Sequence, residues 1–318
     1  MQVKNNPSQY LIVITGPTGV GKTQVSTDIA STFKAPVISA DSRQFYREMK
    51  IGTAVPAPTQ LEKARHYFIG NLSIHDYYNA SMFEVESLDL LTKLFTETNL
   101  ILMTGGSCLY LDAVCQGIDD LPPVDPGIRK DIAAEYHSKG LSWLRQKLKM
   151  LDPDHYEIVD LKNPNRMLKA IEISLMTGRP YSSFLTREKK ERKFNIVKIG
   201  LNLERKELYD KINSRVDEMI EMGLPEEAKD LYRFRHLNAL NTVGYKELFL
   251  YIEGKTSLGR AIELIKRNSR RYAKRQLTWL AKDKEITWFH PSDLQGIIKL
   301  IEKQTGINPQ QHSADKRT

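Results

Sequence analysis

The sequence predicts an α/β protein: a P-loop parallel sheet with helices on both faces, plus an inserted all-helical domain. Three observations carry this. LIVITGPTGVGKT (11–23) reads as an apolar strand, a glycine-rich turn and a helix start. PVISAD (36–41) and NLILMTGG (99–106) are further short apolar runs, ending in an acid and in a glycine pair. Strands covered on both faces read as continuous apolar runs, and helical stretches separate these ones. Ligands of such sheets bind beyond the carboxyl ends of the strands, so all three run ends are expected at one edge.

In chain order, Gly16, Pro17, Thr18, Gly19, Val20, Gly21, Lys22 and Thr23 fit G-x-x-x-x-G-K-[ST]. The glycines let backbone N–H groups turn inward onto an anion, Lys22 adds a positive charge, and the Thr23 hydroxyl suits Mg²⁺. The helix KTQVSTDIASTF adds its positive N-terminal end. From about Gly117 to Lys193 the periodicity is helical, in IRKDIAAEYH, LSWLRQKLKML and NRMLKAIEISLM, after the turn signals of LPPVDPG. NIVKIGLNL (195–203) resumes the sheet, long helices follow, and EITWF (285–289) adds a terminal strand. The expected division is a catalytic core of 1–116 with 195–305, a helical insertion of 117–194, and a polar, flexible tail of 306–318.

A chain of 318 residues is long enough for two such units. Its formal charge of +8 favours a polyanionic partner, and it becomes informative where the cations cluster. The N-terminus lacks the apolar stretch of a signal peptide and no run is long enough for a membrane span, so a cytoplasmic location is expected. Cys108 and Cys115 share a helical face too far apart for a disulfide, and no Cys/His cluster has zinc spacing.

Asp41 closes a buried strand at the edge where the phosphate loop opens, followed by Ser42, Arg43 and Gln44. It can hold Mg²⁺ through water, hydrogen-bond an acceptor, take a proton from a nucleophile, or simply cap a following helix. Thr104, Gly105, Gly106 and Ser107 form a second flexible turn, suited to a substrate oxygen or to a plain strand-to-helix connection. In 266–276, Lys266, Arg267, Arg270, Arg271, Lys274 and Arg275 crowd three helical turns, with Tyr272 and Trp279 interleaved. This suits a nucleic-acid footprint, and equally an amphipathic helix with a buried aromatic stripe. Residues alone leave open a small-molecule or nucleoside kinase and a non-catalytic RNA-binding switch.

Taken in order, GPTGVGKT (16–23), DSRQFYREMKIGTA (41–54), GGSCLYLDAVCQG (105–117), LPPVDPGIR (121–129), NPNRMLKAIEI (163–173), RVDEMIEMGLPEEAKDL (215–231), VGYKE (243–247) and YAKRQLTWL (272–280) resemble the tRNA dimethylallyltransferases, also called tRNA isopentenyltransferases. The resemblance implies transfer of a dimethylallyl group from dimethylallyl diphosphate to N6 of adenine 37, beside the anticodon, with Mg²⁺ as cofactor. It assigns the phosphate loop to the diphosphate, makes Asp41 the base, and adds Thr18 and Arg215 as catalytic positions, Arg215 toward the diphosphate. A stacked base cannot reach a buried donor, so the resemblance implies a nucleotide swung into a channel between sheet edge and insertion. It implies tRNA contact, at the anticodon stem-loop, by Asp41, Ser42, Arg43, Gln44, Ser107, Arg129, Asn165, Arg166, Lys169, Lys274, Arg275, Gln276 and Trp279, with Gln44 as a reader of base edges. A monomer is the default for such an enzyme. The chain departs from the family pattern at Ser107 (usually Thr), Val55 (usually basic), and Lys169 and Ala281 (often Arg).

Overall fold

The computed structural model describes residues 9–122, 125–186 and 188–309. The expected tail therefore lies largely outside the described residues, as does Arg187 near the end of the expected insertion. The chain divides into two compact units, 1–115 with 192–318, and 116–191.

The first unit is built on one sheet. Its strands are β1 (Tyr10–Thr15), β2 (Val37–Ser39), β3 (His66–Tyr67), β4 (Leu100–Gly105), β5 (Asn195–Leu201) and β6 (Thr287–Phe289), ordered β3-β2-β4-β1-β5-β6 and paired in parallel throughout. Strands β1, β2, β4, β5 and β6 are the apolar runs of the sequence. Strand β3 has two residues, too few for any periodicity, and with three-residue β6 it gives the sheet short edges that discourage pairing with another chain.

Alternation along β1 sorts the core. Ile12 and Ile14 face one side with Val25, Ile29 and Phe33 of helix α1 (Lys22–Phe33), while Leu11 and Val13 face the other. On that second side lie helix α3 (Ala80–Leu94) and helix α4 (Cys108–Gln116), with Phe83, Leu91, Leu111 and Val114; a short helix α2 (Pro58–Leu61) precedes them in the chain. Each such fully buried side chain contributes about 1.5–3 kcal/mol.

The second unit contains α5 (Pro126–Leu151), α6 (Pro153–Ile158) and α7 (Pro164–Thr177) around its own core of Ile132, Leu144, Leu148, Met167 and Ile171. Gly140 breaks α5 with φ 76°, and this separates the two helical stretches expected there. Asn163 caps α7, its Oδ1 accepting from Arg166 N.

After β5, the first unit continues with α8 (Arg205–Glu221), α9 (Leu224–Leu231), α10 (Tyr245–Ile252) and α11 (Leu258–Leu280), closing with β6 and α12 (Leu294–Thr305). Helices α8 to α11 share a third cluster in which Val216, Leu224, Leu248 and Ile265 surround a fully buried Tyr245. Among the described residues no helix is long and apolar enough to cross a membrane.

Candidate active site

The registers Thr15 to Gly105 and Ser39 to Thr104 bring the ends of β1, β4 and β2 to one edge of the sheet. A cleft of about 2030 Å³ opens there, lined by the phosphate loop, Asp41 to Gln44, the Thr104–Gly106 turn, the inner face of α8 and the middle of α11. The sequence prediction that three run ends converge is met by this geometry.

The phosphate loop turns sharply after β1. Gly16 has φ 148°, and a Cβ there would lie 2.4 Å from the Leu201 carbonyl oxygen, so no side chain fits between loop and β5. Gly21, at φ 100°, leads into α1, whose first residue is Lys22. Lys22 Nζ donates to the carbonyls of Gly16 and Pro17 at 2.9 and 2.8 Å, so the ammonium lies over its own loop. Burial lowers its pKa to about 8; Asp41 opposes that shift and Arg215 adds to it. The Thr23 side chain, half-buried, lines the cleft beside this group.

Asp41 follows β2 in a tight turn in which its Oδ1 accepts from Arg43 N at 3.0 Å. No helix follows directly, so the side chain closes a turn where a helix cap was one of the expected roles; the residue also lines the cleft and acts electrostatically on Lys22, Arg215 and Tyr272. Arg215, on α8, makes no hydrogen bond or ion pair with any described residue, and burial lowers its pKa against the pull of Asp41 and Glu218. Two cations and one carboxylate thus face the same space, together with the Thr104 Oγ1, a buried hydroxyl with no partner. Such a set can hold a doubly charged anion and move a proton beside it.

Several of the residues expected to contact RNA have protein partners. Gln44 is buried: its Oε1 accepts from Ser39 Oγ at 3.0 Å and its Nε2 donates to the carbonyls of Thr53 and Ala54 at 3.2 and 3.1 Å. Its amide clamps the 53–54 turn from within the fold. Gln276 is buried between two loops, and the guanidinium of Arg43 donates to the carbonyls of Asn238 and Ala239, both at 3.0 Å. In the second unit Arg129 pairs with the buried Glu172 at 2.9 Å, tying α5 to α7. Asn165 and Arg166 are exposed there and Lys169 is half-buried.

Ser107 bridges strand ends, its Oγ accepting from Ser42 N at 2.9 Å and donating to Ser42 Oγ at 3.1 Å. Trp279, half-exposed, donates from Nε1 to Asp112 at 2.8 Å. In the basic helix Lys266 pairs with Asp217 at 2.7 Å and Arg270 donates to Asn213, whereas Arg271, Lys274 and Arg275 are exposed. The amphipathic reading of α11 is met, and its outward cations are left facing solvent. Glu227, inside the 215–231 motif but not among the expected site residues, accepts through its carboxylate from the backbone N–H groups of Lys50, Ile51 and Gly52 at 2.8–3.0 Å and shapes the facing wall of the cleft.

A parallel sheet with a glycine-rich loop after its first strand, and a carboxylate and two cations at the adjacent edge, defines a transferase acting at phosphate-bearing groups. The chain belongs to the IPP transferase family, whose model matches residues 44–283. It is 52% identical over 294 residues to tRNA dimethylallyltransferase 1 of Bacteroides thetaiotaomicron, covering 92% of this chain and 96% of that one. With tRNA dimethylallyltransferase 1 of Bacteroides fragilis the identity is 53% over 295 residues, 93% and 98% of the two chains. Among solved structures, the tRNA isopentenylpyrophosphate transferase of Bacillus halodurans superposes with a TM-score of 0.69 at 35% identity, covering 94% of this chain and 97% of that one.

Proposed function

We propose that the cleft binds dimethylallyl diphosphate on the phosphate loop and transfers its dimethylallyl group to N6 of adenine 37, in the anticodon loop of tRNA. The observation that carries this reading is the meeting of Lys22, Asp41 and the unpaired Arg215 in one cleft of a chain of this family. The relatives support this transferase reading and not the nucleoside kinase one.

The N6 lone pair attacks the carbon attached to the diphosphate as its C–O bond breaks, and the bonding electrons leave with the diphosphate. Lys22, the loop amides and Arg215 stabilise the charge that develops on the leaving oxygen. The exocyclic amine is a weak nucleophile, and the Asp41 carboxylate takes its proton as the carbon–nitrogen bond forms. Thr18, on the loop and lining the cleft, would hydrogen-bond the bridging oxygen on this reading.

The residues suit Mg²⁺ held largely by diphosphate oxygens and water: Thr23 offers a cleft-lining hydroxyl with no protein partner, and Asp41 is at hand for a water-bridged contact. Bound there, the ion would add positive charge next to the leaving group. No cluster of three or more His, Cys, Asp or Glu fit to hold a metal occurs among the described residues.

For tRNA, the exposed Arg271, Lys274 and Arg275 supply phosphate contacts, the cleft-lining Ser42 and its partner Ser107 contact the acceptor, and Asn165 and Arg166 add contacts from the second unit. The protein acts as a monomer in the cytoplasm on this reading. The test is incubation with labelled dimethylallyl diphosphate, Mg²⁺ and unmodified tRNA, followed by mapping of the labelled nucleotide. Label at the adenine after the anticodon supports the reading; ATP-dependent phosphorylation of a small molecule with no label in RNA would sink it.

A further inference from the structure

Gln276 sits on α11 between Lys274, Arg275 and Trp279, which point outward, yet its side chain is only 4% exposed. Its Oε1 accepts from the backbone N–H of Thr18 at 2.8 Å and its Nε2 donates to the Gly106 carbonyl at 2.7 Å. One amide therefore ties the phosphate loop after β1 to the turn after β4, with each end matched to a partner of opposite polarity. The fit is close: a Cβ on Gly106 would lie 2.4 Å from Gln276 Nε2 and 3.5 Å from Lys22 Nζ. The third residue of the phosphate loop thus spends its amide on protein and not on ligand.

We infer that Gln276 is a positioning residue for the transfer reaction: it fixes the distance between the phosphate loop and the Gly105–Ser107 turn, and so the alignment of donor and acceptor. This rests on the proposed function for the identity of donor and acceptor. With 4% exposure, and with its acceptor end engaged by Thr18 N and its donor end by Gly106 O, the side chain is directed at the two loops and away from the exposed face of α11. Its neighbours on the same helix bind; Gln276 holds the frame they bind to. Loss of both bonds leaves a buried donor and a buried acceptor unpaired on two loops that must stay in register. Small misplacements of reacting groups are costly in rate.

Gln276→Met, which keeps length and removes both bonds, tests this in steady-state kinetics with tRNA and dimethylallyl diphosphate. Inorganic diphosphate binding by calorimetry and thermal melting are measured alongside. The expected result is a kcat roughly tenfold or more below wild type and weaker diphosphate binding, with the tRNA KM within about twofold. Lys274→Ala with Arg275→Ala serves as contrast, raising the tRNA KM instead. If Gln276→Met does not fold, Gln276→Asn, which is too short to span both partners, must give the same split. A raised tRNA KM with kcat intact would make Gln276 an RNA contact and overturn the inference, as would unchanged kinetics and diphosphate binding. Diphosphate binding needs no tRNA and no chemistry, so it reports on Gln276 even where wild-type enzyme transfers no label, the outcome that removes the proposed function instead.

Discussion

The Tyr245 hydroxyl donates to the Glu227 carboxylate at 2.6 Å, and the same carboxylate gathers the backbone N–H groups of Lys50, Ile51 and Gly52. A helix-borne anion thereby holds a backbone nest, and the nest forms a wall of the cleft. Gln44 secures the next two residues of that wall from the opposite side, through the carbonyls of Thr53 and Ala54.

Removal of Glu227 should therefore loosen the wall. Glu227→Ala leaves three backbone donors and a buried phenol without their acceptor, and the expected loss of stability is about 2–4 kcal/mol, read by chemical denaturation. Glu227→Gln keeps an acceptor oxygen but loses the charge and should cost less than half as much. Equal stability of wild type and the alanine variant would show that the nest finds other partners.

How far the sequence reached follows from where the information lies. The phosphate loop and the strands were readable because their residues are contiguous and their burial imposes a continuous apolar run, as in Leu11–Ile14 and Leu100–Met103. Asp41 was readable as the residue that ends such a run. The clamps were not: Gln276 and Thr18 are 258 positions apart, Glu227 and Gly52 are 175 apart, and a lone Gln or Glu on a charged helix looks like solvated surface. For the same reason Gln44 and Arg129 looked free, since nothing local announces the Thr53 carbonyl or the buried Glu172 as partners. Composition reports that α11 is basic, and only packing says that Lys266 is paired while Arg271 and Lys274 are exposed.

Asp41→Asn should separate chemistry from binding. The amide keeps the size of the side chain and an acceptor for Arg43 N, so the turn persists, but it takes no proton. Turnover is expected to fall by about 10²–10⁴-fold, with tRNA affinity within roughly threefold in a filter-binding assay. Turnover near that of wild type would exclude Asp41 as the base.

The free cations of α11 should set the salt dependence of tRNA binding. Reversing Lys274 and Arg275 to Glu removes two phosphate contacts and should lower the slope of log K against log salt by at least about 1.4–1.8. Reversing Lys266, already paired with Asp217, should destabilise the fold more than it changes the slope. An unchanged slope in the double variant would return Lys274 and Arg275 to ordinary surface.

Lys22 gives a prediction whose sign follows from its burial. Its folded pKa is about 8, below the ordinary lysine value of 10.5, because the loop strips water from the ammonium. Between these values the unfolded chain binds the extra proton, so Lys22 contributes a stability that rises with pH through this window and is flat below it. Diphosphate binding runs the other way, since the neutral amine no longer attracts phosphate oxygens. Above pH 8 affinity for inorganic diphosphate should fall by up to about tenfold per pH unit relative to Lys22→Arg, whose guanidinium stays charged. Calorimetric titration of both proteins from pH 7 to 10 checks this. Parallel pH profiles would mean that the Lys22 charge does not titrate in this range, or does not hold the anion.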